Sequence, residues 1–374
     1  MTKRISGVKR LVVKVGTSSL VDEKGSLCRK KMSVLAKQLA DAKKSGVEVV
    51  LVSSGAIRAG METLGMTKRP GTIAEKQGVA AVGQSLLMAV YTSVFGDFGI
   101  PVGQVLVTRD DFNDRVRYLN ACNTLNTLIR MDCMPIVNEN DTVAVSEIKF
   151  GDNDTLASLV AAGINADLLI LLSDIEGLYD SNPAENPNAK FIEKVTKITP
   201  EIEALGGGSL GLNGVGGMKT KLEAAKTIMA SGSKMVIADA SRENVVTDIL
   251  AGEYIGTLFA GKQAAMGGKK RWIVFGHRVK GTVTVNAGAE KMIREKGKSL
   301  LAIGITDCTG SFKTGDMVSV AGEDGTVFAR GLVNYNIDEV KIIKGKHTDE
   351  MHELIGYKDF DEVIHRDNLV LVEG

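Results

Sequence analysis

Histidine is nearly missing. The 374-residue chain has four, His277, His347, His352 and His365. Everything before residue 277 works without imidazole, which excludes a Ser–His or Cys–His nucleophile and a histidine-held zinc there. Cysteine is equally scarce. Cys28, Cys122, Cys133 and Cys308 are scattered and form no C-x-x-C pair. No disulfide framework and no thiolate zinc cage is expected, and a reduced, cytoplasmic setting is. Charge imbalance is missing too. With 46 Lys+Arg against 45 Asp+Glu the net charge is +1, so nothing global draws the chain to nucleic acid or an anionic membrane. No uninterrupted apolar run approaches the roughly 20 residues of a spanning helix. Lys14 cuts the N-terminal apolar stretch short, which argues against a signal peptide. What is present is a globular composition, 44% hydrophobic and 24% charged, long enough for two domains or more.

The first part alternates strand-like and helix-like patterns. Apolar strand candidates run over 8–15, 47–52, 102–107, 134–137, 168–172 and 235–238. Helical spacing occupies 29–44, 73–95, 115–132, 153–164 and 218–231 between them. Continuous apolar strands alternating with helices predict an α/β fold, a three-layer αβα sandwich on a mainly parallel sheet. Near Gly261 the pattern changes. Residues 261–271 (GKQAAMGGKKR) read as a linker. Beyond them, β-type runs at 272–275, 282–285, 317–320 and 327–329, with one helical stretch at 348–354, predict a small, mostly-β domain. The expected domains are 1–260 and 272–374, and the second carries a net charge of −3.

Two glycine motifs fail on context. Gly206–Gly211 matches G-x-G-x-x-G, but the preceding 199–205 reads as helix where a dinucleotide fingerprint needs a strand. Composition predicts a mobile loop over 206–217. Gly256–Gln263 nearly matches a P-loop, yet Gln263 stands at the Mg²⁺-binding hydroxyl position and a linker follows. Nucleotide binding, if present, uses no Walker motif.

Other positions carry chemistry. Lys14 precedes the turn Gly16-Thr17-Ser18 at a strand's carboxyl end, a natural phosphate cradle or simply a snorkelling lysine. Ser53-Ser54-Gly55 follows the second strand, either to receive an anion at a helix N-terminus or as an ordinary N-cap. Asn138–Asp141 and Asp152-Asn153-Asp154 are acidic-amide clusters at strand ends. They could bind an ammonium group, organise lysines or hold Mg²⁺, or be turn chemistry alone. Ser173-Asp174 ends another strand, and Gly214–Lys221 opens a helix with Lys219 and Lys221 beside glycines. Cations at two ends with acidic-amide clusters between them fit phosphoryl transfer, where positioning and charge neutralisation carry most of the catalysis.

The segments LVVKVGTSSL, VVLVSSGAIRAG, AAVGQSLL, PIVNENDTVAVSEIKFGDND, LLSDIEGLY and VGGMKTK occur in this order. Together they resemble the gamma-glutamyl kinases (glutamate 5-kinases) of the amino acid kinase superfamily, over about residues 8–260. SLLAIGITDCTGSFKTGDMVSVAGEDGTVFARGLVNYN and HRDNL resemble a PUA domain. The resemblance implies the amino acid kinase fold and transfer of the ATP γ-phosphate to the side-chain carboxylate of L-glutamate, the opening step of proline biosynthesis. It implies that Lys14 and Lys221 neutralise the transferring phosphoryl group and that Asp154 holds those lysines. Ser54, Asp141 and Asn153 would bind glutamate. Ser173, Asp174 and the segment Val215, Gly216, Gly217, Met218, Lys219, Thr220 and Lys221 would bind ATP, with Lys14 also touching it. Mg²⁺ would come with the nucleotide phosphates. Val215 stands where some relatives carry a hydroxyl residue, and Ser173 where some carry Thr. A homo-oligomer, dimer or tetramer, and proline as feedback inhibitor are implied as well.

Two other functions compete: an RNA-binding protein led by the PUA-like domain, with Lys269-Lys270-Arg271 as its basic patch, and a sister kinase acting on acetylglutamate, aspartate or a nucleoside monophosphate. One short cluster beside a domain of net charge −3 neutralises few phosphates. The Asn138–Asp141 and Gly151–Asp154 pairing together with the PUA-like appendage speaks against a sister kinase.

Overall fold

The computed structural model describes residues 4–144, 152–183, 185–206, 215–261 and 279–372. The chain divides into two compact units, Met1–Asp111 with Leu119–Ala265, and Phe112–Tyr118 with Met266–Gly374. In chain order the first holds β1 (Arg10–Val15), α1 (Arg29–Lys44), β2 (Glu48–Val52), α2 (Ala56–Thr63), α3 (Ile73–Gly96), β3 (Val102–Val107), α4 (Arg109–Asn113) as far as Asp111, α5 (Arg115–Arg130) from Leu119 onward and β4 (Met134–Glu139). Then come α6 (Asp152–Gly163), β5 (Leu168–Ser173), β6 (Leu178–Tyr179), β7 (Phe191–Ile192), β8 (Lys194–Val195), α7 (Pro200–Ala204), α8 (Val215–Ala230), β9 (Lys234–Asp239), α9 (Val245–Ala251) and β10 (Thr257–Ala260).

Eight strands form one sheet in the order β3-β4-β2-β1-β5-β9-β10-β8. From β3 to β9 every neighbour is parallel, and β10 runs antiparallel to β9. The mainly parallel sheet expected from continuous apolar strands is therefore present. Alternate strand residues face opposite layers. Leu11, Val13 and Val15 of β1 join Val49, Leu51, Leu168 and Ile170 in a core with Met32, Leu35 and Leu39 of α1, Leu87, Tyr91 and Phe95 of α3, and Val245 and Ile249 of α9. The opposite face packs α6 and α8, which also pack on each other. This is the three-layer sandwich. The alternation has a functional consequence, because Lys14 shares the α6/α8 face with Val12.

β1 lies between β2 and β5, so the chain leaves it to one side and returns on the other. That is the crevice where open parallel sheets bind ligands, at the carboxyl ends of their strands. Asn138 and Glu139 are the last two residues of β4, and Ser173 the last of β5. The strand candidates ending at 137 and 172 were one or two residues short, since polar side chains at a strand's end do not stop its backbone pairing. Helix α8 begins at Val215, three residues before the expected 218. Among the described residues, α3 is the one helix long and apolar enough to cross a membrane by length and composition, a signal that counting uninterrupted apolar runs misses. In this fold it lines the core.

In the second unit, β11 (Gly281–Val285), β12 (Ile305–Gly310), β13 (Met317–Ala321), β14 (Val327–Leu332) and β15 (Leu369–Leu371) form a sheet in the order β12-β11-β13-β14-β15. The strands enclose their own core, with Val283, Phe312, Val320, Phe328 and Tyr335. The expected single helical stretch is an undercount. Helices also span Ala287–Lys296 and Ile337–Ile343, and the second is opened by a capping box of Asn336 and Glu339 that was visible in the sequence. The expected linker from residue 262 to 271, the strand 272–275 and most of the glycine loop 206–217 lie outside the described residues.

Candidate active site

Residues from β1, α6 and α8 meet at one carboxylate. Asp154, in the first turn of α6, is 1% exposed. Its Oδ1 lies 2.7 Å from Lys14 Nζ, and its Oδ2 lies 3.0 Å from Lys221 Nζ. Thr220 Oγ1 donates to the same Oδ2 at 3.1 Å. Both lysines are buried. Burial pushes the Lys14 ammonium below its usual range, against the pull of Asp154 and with the repulsion of Lys221 adding to it. Burial alone would raise Asp154, but the two ammonium charges outweigh it and hold the carboxyl below the usual range. The snorkelling reading of Lys14 is excluded, because its tip points into the interior beside Gly16.

The lysines are not equally committed. Lys221 also donates to the Gly217 carbonyl at 3.3 Å, across one turn of α8. Among the described residues the Lys14 tip pairs with Asp154, so more of its three donors remain for another anion. Asp174, at the carboxyl end of β5, is exposed, accepts from Ser173 Oγ at 3.0 Å and adds its charge to the field on Lys14. Met218 and Lys219 lie in the same first turns of α8, Lys219 exposed.

A cavity of about 600 Å³ opens beside Lys14, lined by Gly16, Thr17, Ser18, Ser54, Gly55, Ala56, Asn138, Asp141 and Asn153, with Arg58, Arg69 and Lys76 also on its wall. Ser54 is not an N-cap. Helix α2 is capped by Gly55, at φ +101°, without a side-chain bond, and the Ser54 hydroxyl instead accepts from Asn153 Nδ2 at 2.8 Å. The same Nδ2 donates to the Ser53 carbonyl at 2.8 Å. Asn153 Oδ1 is buried and has no partner among the described residues. Asp141 is half-buried, and burial pushes its carboxyl up to about 6. An unpaired acceptor and an uncompensated carboxylate on one wall are suited to a cationic group. Arg58 donates to the carbonyls of Gly25 at 2.6 Å and Lys24 at 2.9 Å, tying the loop after β1 to α2.

The candidate residues from β1, α6 and α8 therefore converge, and Ser54, Asp141 and Asn153 share the adjoining cavity. The first turns of α8, Val215 and Gly216 included, lead into Lys221. Sequence reasoning passed over Gln84 and Tyr91. Both sit on the inward face of α3, two turns apart, and a polar residue at an inward position of an apolar helix was the available signal.

The profile of the amino acid kinase family matches residues 9–239, and that of the PUA domain matches 281–355. The glutamate 5-kinase of Caldanaerobacter subterraneus subsp. tengcongensis is 48% identical over 364 residues, 97% of this chain and 98% of that protein. The chain belongs to the glutamate 5-kinase family. The glutamate 5-kinase of Carboxydothermus hydrogenoformans is 47% identical over the full length of both chains. UMP kinase from Bacillus anthracis aligns at 17% identity with a TM-score of 0.47, over 68% of this chain and 97% of that one. Within the glutamate 5-kinase family frame, four of the segments that carried the resemblance, those holding Lys14, Ser54, Asn138 with Asp154, and Lys221, line the cavity or meet at Asp154. The G-x-G-x-x-G match at 206 follows α7, not a strand, as its rejection required.

Proposed function

We propose that the chain transfers the γ-phosphate of ATP to the side-chain carboxylate of L-glutamate, giving the acyl phosphate that opens proline biosynthesis. The observation that carries this reading is the pair of buried lysines on opposite oxygens of Asp154, beside a cavity whose wall offers Asp141 and the Asn153 oxygen. A glutamate side chain has a pKa of roughly 4.3 and is already ionised at neutral pH. It needs no general base, which accounts for a kinase unit without histidine. A carboxylate oxygen attacks the γ-phosphorus, the new O–P bond forms as the bond to the β,γ-bridging oxygen breaks, and ADP leaves with those electrons.

What the step requires is relief of repulsion between two anions brought to about 3 Å. Lys14 and Lys221 supply it, and Asp154 keeps both tips aimed. Asp141, with Asn153 and Ser54, holds the amino acid by its ammonium group and orients it. Ser173, Asp174 and the segment Val215 to Lys221 hold the nucleotide, which brings Mg²⁺ on its phosphates. The same reading carries assembly into dimers or tetramers, inhibition by proline and a cytoplasmic location. Light scattering and a proline titration check the first two.

The deciding experiment is ADP release with glutamate, acetylglutamate, aspartate and a nucleoside monophosphate offered in parallel. Glutamate alone should give turnover, and preference for another acceptor overturns the reading. Lys14→Ala and Lys221→Ala should each lower kcat tenfold or more while the chain stays folded. Turnover near the parent's in both variants removes the role given to the lysines.

A further inference from the structure

We propose that Gln84 and Tyr91, on one face of α3 and outside the reacting centre, are positioning residues that set the orientation of the cavity wall recognising the amino-acid end of the substrate. This deepens the reading above and rests on it.

The wall is a chain of donors and acceptors whose two ends are fixed by the backbone. At one end, the Glu139 N–H donates to Asn138 Oδ1 at 2.9 Å. A peptide N–H can only donate, so this oxygen cannot exchange places with its nitrogen. Asn138 Nδ2 must then face the other way, and there it meets Gln84 Oε1 at 2.9 Å. Asn138 is 2% exposed. Without that oxygen its NH₂ group would be buried with a donor unmatched, a cost that rotation of the amide would relieve. Rotation breaks the next link, since Asn138 Oδ1 also accepts from Asn153 Nδ2 at 3.2 Å. Asn153 in turn spans Ser53 and Ser54 and leaves its own Oδ1 without a partner among the described residues. The register of the whole chain therefore decides whether an acceptor or a donor is left over.

Tyr91 acts on the same wall from the other side. Its hydroxyl lies 2.7 Å from Ser53 Oγ, and Ser53 Oγ donates to the Ser54 carbonyl at 3.1 Å. Ser53 and Tyr91 are at 0% and 1% exposure, so no solvent can replace either bond. With the Ser54 carbonyl turned toward Ser53, the trans peptide turns the Gly55 N–H to the opposite side, and Gly55 lines the cavity. Helix α3 can reach both points because glycine lets it come close. A Cβ on Gly83 would lie 1.8 Å from the Ala56 carbonyl oxygen, and one on Gly60 would lie 1.8 Å from that of Val79.

The test is steady-state kinetics of the full chain with Gln84→Met and Tyr91→Phe. The first removes the acceptor at similar volume, the second only a hydroxyl. Each should raise KM for glutamate fivefold or more, with kcat and KM for ATP within twofold of the parent. The double variant should fall short of the product of the two effects, because both act on one wall. Unchanged KM for glutamate in both folded variants overturns the proposal. So does a parallel rise in both KM values, which marks general loosening. Should Gln84→Met fail to fold, Tyr91→Phe decides alone. A parent enzyme that phosphorylates a different carboxylate overturns the function instead, and the same KM comparison is then read on that carboxylate.

Discussion

Asp141 and Asp154 are carboxylates in one neighbourhood with opposite environments. Burial pushes Asp141 up to about 6, with no cationic partner among the described residues to offset it. The folded chain therefore binds this proton more tightly than the unfolded chain does. Its contribution to stability is complete below about 3.8 and is lost as pH rises toward 6. An ammonium ligand reverses that, since it needs the ionised form. kcat/KM for glutamate should rise about tenfold per pH unit below 6 and level off above it. Asp141→Asn should abolish that inflection, weaken glutamate binding tenfold or more, and raise Tm at pH 7. A retained inflection in the variant assigns the titration elsewhere. Asp154 has the opposite sign. Held below its usual range by Lys14 and Lys221, it stabilises the fold above the ordinary carboxylate pKa and loses that as pH falls through its own lower value. Asp154→Asn strands two ammonium groups whose side chains are each 9% exposed. A broken buried ion pair costs about 3–5 kcal/mol. Calorimetry should show a lowered Tm along with the loss of kcat, and an unchanged Tm would mean the lysines shed their protons instead.

The elements divide the work between two helical layers. On one side of the sheet α6 and α8 carry Asp154 and Lys221 to Lys14. On the other, α3 backs the cavity wall through a glycine contact with α2. Gly83→Ala would drive a methyl group into the Ala56 backbone. Overpacking of this kind costs about 1–3 kcal/mol, and a backbone neighbour cannot swing away, so the upper end is expected. Denaturant unfolding checks it, and a change below about 0.5 kcal/mol would show that α3 slides freely. Much of this arrangement was legible in advance. Apolar runs gave the strands, and period-2 alternation assigned Lys14 to a face once the sheet was known. Cation, amide and acidic residues at strand ends were the right residues. The partnership of Lys14 with Asp154 and Lys221 was not legible from spacing, because separations of 140 and 67 positions along the chain carry no distance information. The α3 contribution was hidden for a different reason. Gln84 and Tyr91 lie in a helix read for its apolar content, and their partners Asn138 and Ser53 are 54 and 38 positions away in the chain. In the second unit, short helices opened by Asn286 and Asn336 caps were overlooked because each is too brief to show a period.

At the scale of the whole molecule, the two units own separate cores. Leu11, Leu39, Leu87 and Ile170 belong to one cluster, and Val283, Phe312, Phe328 and Tyr335 to another. No residue is shared between these two clusters. Every residue proposed to touch glutamate or ATP belongs to the first unit. A ligand that binds only the folded state stabilises by RT ln(1 + [L]/Kd), about 2.7 kcal/mol at a hundredfold excess over Kd. That increment should fall on the unit that forms the site. Differential scanning calorimetry should resolve two transitions. Saturating glutamate with a non-hydrolysable ATP analogue should move the one assigned to the first unit and leave the other in place. Assignment follows from Asp154→Asn, which should lower the same transition that the ligands raise. Two transitions that both shift with ligand, or a single one that moves as a whole, would mean that the second core depends on the site, and the separation of the two clusters would then have no thermodynamic counterpart.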